Sequence, residues 1–245
     1  IETGDDVDVT IRVRGDGYAL QPRPVDVYMV TDRSGSMGED TPTRISQVIK
    51  AATAGSTKFD YVSDRLGQFS FGDNAGAYSD YATLDLRLTS SQSQVRSAIS
   101  SLSAGGHTPM RYAIYRAVSE LAKNGRPDAV KALVILSDGE YNWYGDPLAR
   151  GSAGSTDPTA YDNLASEYVF FSGVSSQNMA EYAKANNVRI YTIGYAADIS
   201  EGGRGTLEQL AQLTGGKYFY ALTGDDLTSF YTEIAGALKD TAGVN

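Results

Sequence analysis

The sequence predicts an α/β fold: a doubly wound, mostly parallel central sheet with one antiparallel edge strand and helices on both faces. Three observations predict it. Short apolar runs alternate with amphipathic stretches of helical period, the pattern of strands joined by crossover helices. Two of those runs, 25–30 and 130–136, are mostly apolar rather than alternating, as strands covered on both faces are. Both runs end abruptly in polar Asp/Ser/Gly loops, the place where open α/β sheets bind ligands.

Composition narrows the function. With 41% apolar and 21% charged residues in 245, the chain is a globular protein with enough length for one large domain. It has no cysteine, which excludes disulfides, thiol catalysis and Cys-based zinc sites. Its one histidine, His107, leaves no room for a His-based metal cluster. A net charge of −9 without Lys/Arg clusters argues against nucleic acid as a partner. No apolar stretch reaches membrane-spanning length, so no membrane insertion is expected. The first residue is Ile, not Met, which implies processing or a longer parent polypeptide.

Residues 1–22 read as a leader. Val7, Val9, Ile11 and Val13 alternate with polar residues, the period of a half-buried strand, and Gly15-Asp16-Gly17 signals a turn. A lone hairpin is marginal in water, so this short β extension is expected to pack on the domain or belong to a neighbouring β module. Pro22 and Pro24 mark the boundary, and 23–240 is the predicted domain.

The first domain strand, 25–30, has Asp26 near its start. Thr41-Pro42-Thr43 predicts a helix start, followed by Ile45, Val48, Ile49, Ala52, Phe59 and Val62 on one face. Gly55 within it costs about 1 kcal/mol relative to Ala. Strands follow at 66–71 and 81–88, where Leu84, Leu86 and Leu88 alternate. Residues 91–102 form a short helix with Val95, Ile99 and Leu102 inward. After a Gly-rich loop, Met110, Ala113, Ile114, Ala117, Val118 and Leu121 make a helical stripe closed by Asn124-Gly125 and Pro127. Strand 130–136 leads to Ser137-Asp138-Gly139.

Residues 141–172 read as an irregular segment rich in Gly, Ser and aromatics, either a self-packed loop or a recognition surface. Further on, 175–186 reads as a helix, 188–195 as a strand, 207–214 as a helix capped by Gly215-Gly216, and 217–220 as a short strand. The last helix spans 225–239, with Gly224 as a possible hinge, and 241–245 is a frayed tail.

Asp32, Ser34 and Ser36 crowd one loop, and Gly35 permits its tight turn. Carboxylate and hydroxyl oxygens are hard donors suited to a cation such as Mg²⁺. Asp, Ser and Gly after a strand are equally ordinary turn and capping residues, and the pentapeptide alone does not decide. Two later stretches join it: Gly105-Gly106-His107-Thr108-Pro109-Met110 and Ser137-Asp138-Gly139-Glu140.

Together the three resemble the von Willebrand factor type A (VWA) domain, a Rossmann-like fold. That family's metal-ion-dependent adhesion site combines Asp-x-Ser-x-Ser after the first strand, a Thr in a Gly-rich loop, and an Asp before Gly after the fourth core strand. The resemblance runs from about residue 25 to 238. It departs where His107 replaces a third Gly of many relatives, and in the length of the connection after Asp138.

The resemblance implies that Ser34, Ser36 and Thr108 offer hydroxyl oxygens to the metal. Asp32 and Asp138 would share its shell, directly or through water. It also implies Mg²⁺, with Mn²⁺ or Ca²⁺ as substitutes, and no enzymatic activity. The partner it implies is a protein or peptide that supplies an acidic residue, at the cell surface or outside the cell. The family's other reading is an intracellular assembly domain working with an ATPase or metal chelatase. Beside the site, Arg33 is expected to bridge a carboxylate locally, and His107 to be a structural or solvent-facing loop residue.

Overall fold

The computed structural model describes residues 22–78, 80–139, 141–143, 145–150 and 178–243. The leader and most of the segment 141–172 therefore lie outside the described residues.

The described strands are β1 (Val25–Asp32), β2 (Arg65–Phe71), β3 (Ala82–Thr89), β4 (Val130–Ser137), β5 (Val188–Tyr195) and β6 (Tyr218–Ala221). The helices are α1 (Arg44–Ser56), α2 (Gln92–Ser100), α3 (Met110–Asn124), α4 (Met179–Ala185), α5 (Glu201–Thr214) and α6 (Gly224–Gly243). The strands form one sheet in the order β3-β2-β1-β4-β5-β6. Every pairing is parallel except β2 with β3, so β3 is the antiparallel edge. The mixed sheet with flanking helices is the fold the sequence predicts.

β1 is buried along its whole length because it feeds two cores. In β1, Val27 and Met29 face a layer built with Val48 and Ala52 of α1, Ile99 of α2, and Leu227 and Leu238 of α6. Tyr28 and Val30 face the opposite layer, with Ile114 and Val118 of α3, Met179 of α4 and Leu207 of α5. Burying such side chains contributes about 1.5–3 kcal/mol each, which makes this two-sided packing the main stabiliser of the sheet.

Several boundaries differ from the sequence reading. Helix α1 ends at Ser56, so Val62 leaves the inward face and is 96% exposed, whereas Phe59 still reaches the core. Helix α5 begins at Glu201, six residues before the predicted start, although Gly202, Gly203 and Gly205 lie in its opening turns. The Ser200 side chain caps it by accepting from the Gly203 N–H at 3.0 Å. Helix α6 runs to Gly243 instead of fraying at 241, because Ala242 is buried. Gly55 has a packing reason. A Cβ there would meet the Tyr231 Cβ at 2.4 Å, so the close approach of α1 and α6 outweighs about 1 kcal/mol of helix propensity.

The strand order reverses between β1 and β4, which pair in register with Thr31 opposite Leu136. The loops that leave these two strands are therefore neighbours at one edge, the crevice where doubly wound sheets bind ligands.

Candidate metal centre

The register of β1 and β4 sets Asp32 beside Ser137. The Ser137 hydroxyl donates to Asp32 Oδ2 at 2.5 Å, and the Ser34 N–H donates to Asp32 Oδ1 at 2.8 Å. Ser34 and Ser36 then turn onto the same rim, with their hydroxyl oxygens 3.1 Å apart. Ser36 Oγ donates to Asp138 Oδ1 at 2.9 Å, closing a chain of side chains from the β1 loop to the β4 loop.

The Gly-rich loop is held against this chain by its backbone. The Gly35 N–H donates to the Gly106 carbonyl at 2.9 Å, and the Gly105 N–H to the Arg33 carbonyl at 2.7 Å. Gly106 has φ +83°, and a Cβ there would lie 2.3 Å from the Asp73 Cβ, so only glycine fits the joint. Thr108 is buried next to it. Its N–H donates to Asn142 Oδ1 at 2.8 Å, and its carbonyl accepts from the Asn142 N–H at 3.2 Å.

The structure thus joins Asp32, Ser34, Ser36 and Asp138 through side chains and backbone, and brings Thr108 alongside on a neighbouring loop. Pro109, not Thr108, occupies the cap position of α3. Capping, the competing reading of Thr108, does not account for its place here.

Asp138 has a second partner that the motifs do not contain. Arg44, at the start of α1, donates from Nη1 to Asp138 Oδ2 at 2.9 Å. The same guanidinium reaches Asp40 Oδ2 at 2.8 Å and Asp198 Oδ1 at 3.1 Å. Arg44, Ser137 and Asn142 are the residues that sequence reasoning missed. Only Ser137, a hydroxyl next to Asp138, carried a local signal.

Arg33 does not bridge a carboxylate as expected. It is buried, donates from Nε to Ser70 Oγ at 3.1 Å and from Nη2 to the Asp73 carbonyl at 2.5 Å, and lies 3.3 Å over the Tyr78 ring. Those neutral partners stiffen the floor of the β1 loop. His107 is a structural loop residue. Its ring stacks on Trp143 at 4.4 Å between centroids with a 5° interplanar angle, fixing the chain after Asp138 to the Gly-rich loop.

Two carboxylates set close together in a buried rim disfavour their own ionisation. Burial, then the Asp138 charge, pushes Asp32 up to about 7. Burial raises Asp138 as well, opposed by the Arg44 and Ser36 hydrogen bonds. A carboxylate held above its unfolded pKa binds more protons in the folded state, so stability falls as pH rises through that window. The cation-free domain is expected to lose thermal stability between about pH 4 and 7, read as a falling Tm in EDTA. A flat or rising Tm would contradict this electrostatic picture.

The donors are all oxygens, and among the described residues the two buried acids have one ion-pair partner between them, Arg44. Among the described residues no group of three or more His, Cys, Asp or Glu is placed to hold a metal ion. The set therefore fits a hard cation held partly by hydroxyls, not a His- or Cys-bound metal.

The sequence profile of the von Willebrand factor type A domain matches residues 26–233, and the chain belongs to that family. No curated protein matches it in sequence. Solved structures share the fold. The vWF domain of the type V pili tip protein Mfa5 from Porphyromonas gingivalis is similar at TM-score 0.65 and 15% identity, over 92% of this chain and 98% of that one. The pilus adhesin SpaC from Lactobacillus rhamnosus GG is similar at TM-score 0.66 and 16% identity, over 90% of this chain and 31% of that one. Proximal thread matrix protein 1 from the mussel byssus is similar at TM-score 0.63 and 16% identity, over 89% and 47%. The chain thus spans less than half of the last two.

Proposed function

We propose that this domain is a non-catalytic, adhesion-type binding module. It recognises an acidic side chain of a protein or peptide through a divalent cation, Mg²⁺ in the first instance. The observation that carries the reading is the hydrogen-bonded convergence of Asp32, Ser34, Ser36 and Asp138 on one rim, with the Thr108 loop tied to it by Gly106.

Ser34, Ser36 and Thr108 would offer neutral oxygens, and Asp32 and Asp138 the negative charge. A cation held this way supplies a positive charge that remains open to a carboxylate from outside. The chain's own part is to hold these oxygens in place. Ser137 fixes the Asp32 carboxylate, and Ser36 and Arg44 fix that of Asp138.

A placement outside the cell or on its surface is part of this reading, and the names of the pilus and byssus proteins support it. Among the described residues no helix is long and apolar enough to cross a membrane.

Calorimetric titration of the chain with Mg²⁺, Mn²⁺ and Ca²⁺ tests the cation. Uptake at or below millimolar concentration is expected. Ser34→Ala should weaken Mg²⁺ about tenfold, the order of one charge-assisted contact, with Tm in EDTA unchanged. No uptake by the native chain would end the proposal. A Ser34→Ala variant that melts earlier but binds Mg²⁺ normally would mean that the loop is only a structural joint.

A further inference from the structure

At the pole opposite this rim, the N-terminal ends of β4 and β5 border a cleft of about 420 Å³. Arg23, Lys131, Lys184 and Arg189 line it, together with Thr214 and Thr241, and among the described residues no Asp or Glu does. Four cations around one cleft are unexpected in a chain of net charge −9.

Among the described residues none of the four makes an ion pair. Arg23 donates to the carbonyls of Asp128 and Ala129 at 2.8 and 3.3 Å, and Arg189 to Thr241 Oγ1 at 3.0 Å. These neutral acceptors position the guanidinium groups without cancelling their charge. Asp26, opposite Lys131 in the sheet, is fully buried and already held by Arg65 and Arg126.

The C-terminal ends of α4, α5 and α6 meet near the cleft, through Lys184, Thr214 and Thr241. Each helix end carries roughly half a negative charge, about −1.5 in all against four positive side chains. Helix dipoles therefore explain part of the cluster and leave an excess that a concave, low-dielectric wall focuses.

The chain enters and leaves the domain beside this cleft, where the Arg23 N–H donates to the Ala242 carbonyl at 2.9 Å. Residues joined to Arg23 are tethered beside the cations, and tethering raises their effective concentration there. The sequence before Arg23 carries Glu2, Asp5, Asp6 and Asp8. We propose that this cleft is a second, cation-independent binding site, which takes the clustered carboxylates of the acidic segment that precedes Arg23. It would hold the module in a fixed orientation on its neighbour while the opposite rim faces a partner. The inference does not depend on the metal reading.

The probe is a fluorescent peptide, Glu-Thr-Gly-Asp-Asp-Val-Asp, titrated into the full chain by anisotropy. EDTA is present throughout, so that capture through a cation cannot contribute. Saturable binding is expected, weakened about tenfold in Lys131→Gln/Lys184→Gln and little changed in Lys50→Gln/Lys58→Gln. Lys184 is exposed, so Lys184→Gln alone retains the fold and gives the same direction if the double variant does not.

A second arm replaces Glu2, Asp5, Asp6 and Asp8 by their amides. Tighter peptide binding by that variant supports the proposal with the chain's own segment as occupant. Equal binding means that the chain's own segment does not fill the cleft, and overturns the proposal. Absence of saturable binding overturns the proposal, as does equal weakening by both lysine pairs, or binding of pyrophosphate without binding of the peptide.

Discussion

Asp26→Asn is expected to destabilise the domain by about 3–5 kcal/mol, the usual cost of leaving a buried ion pair with one partner. Asp26 is wholly buried at the start of β1, inside an otherwise apolar run. It accepts from Arg65 Nε at 2.9 Å and from Arg126 N, Nε and Nη2 at 2.7, 3.0 and 2.7 Å. The amide keeps the volume but strands two guanidinium groups. Burial acts to raise this carboxyl, yet the Arg65 and Arg126 bonds outweigh it and hold the carboxyl below its usual range. For a carboxylate so depressed, the stabilisation is present above the unfolded pKa and is lost as pH falls through the folded one. Urea unfolding at pH 7 should therefore show the full deficit, with Tm lower by about 10 °C for a domain of this size. At pH 3 the gap between native chain and variant should narrow. A deficit below about 1 kcal/mol at pH 7 would mean that solvent, not Asp26, compensates the arginines. Because the cluster lies at the pole away from Asp32, Mg²⁺ affinity should not move.

Asp26 also marks the limit of what the sequence discloses. Its place in the strand is legible, but its partners lie 39 and 100 residues away, and nothing in a one-dimensional pattern couples them. β1 and β4 were legible because burial on both faces favours mostly apolar runs, and α3 because a single buried stripe imposes its period. The start of α5 was not, since three glycines argue against helix locally, and packing of Thr206, Leu207 and Leu210 overrides that preference. Val62 misled for the opposite reason: a side chain of the right type at the right spacing, just past the point where α1 stops. At the candidate site, the loop residues could be found because each sits in a short Gly-bounded motif. Arg44 could not. Its role comes from the folding of the α1 start over the β4 loop, which no motif records.

Arg44→Gln should make the stability of the domain depend on a divalent cation. The Arg44 and Asp138 side chains are 9% and 1% exposed, and their contact is 2.9 Å. Removing the guanidinium leaves Asp138 and Asp32 in a buried rim with no fixed positive neighbour among their hydrogen-bond partners. In EDTA the variant is expected to lose about 3 kcal/mol. Two effects on Mg²⁺ then oppose each other. Asp138 loses an orienting bond, which weakens binding. A positive charge leaves the site, which strengthens it, by an amount on the order of 4 kcal/mol for charges 4 Å apart at an effective dielectric of 20, and less with solvent screening. Ser36 still donates to Asp138 Oδ1 at 2.9 Å and the carboxylate stays packed, so the charge effect wins. Mg²⁺ should bind about tenfold more tightly and recover most of the lost stability, since a ligand that binds only the folded state stabilises it by mass action. Arg44→Lys, which keeps the charge but cannot span Asp40, Asp138 and Asp198 at once, should fall between the two. Thermal melts in EDTA and in millimolar Mg²⁺ read both effects together. A variant as stable as the native chain without cation, or one that binds Mg²⁺ more weakly, would show that Arg44 shapes the rim without counterbalancing its charge.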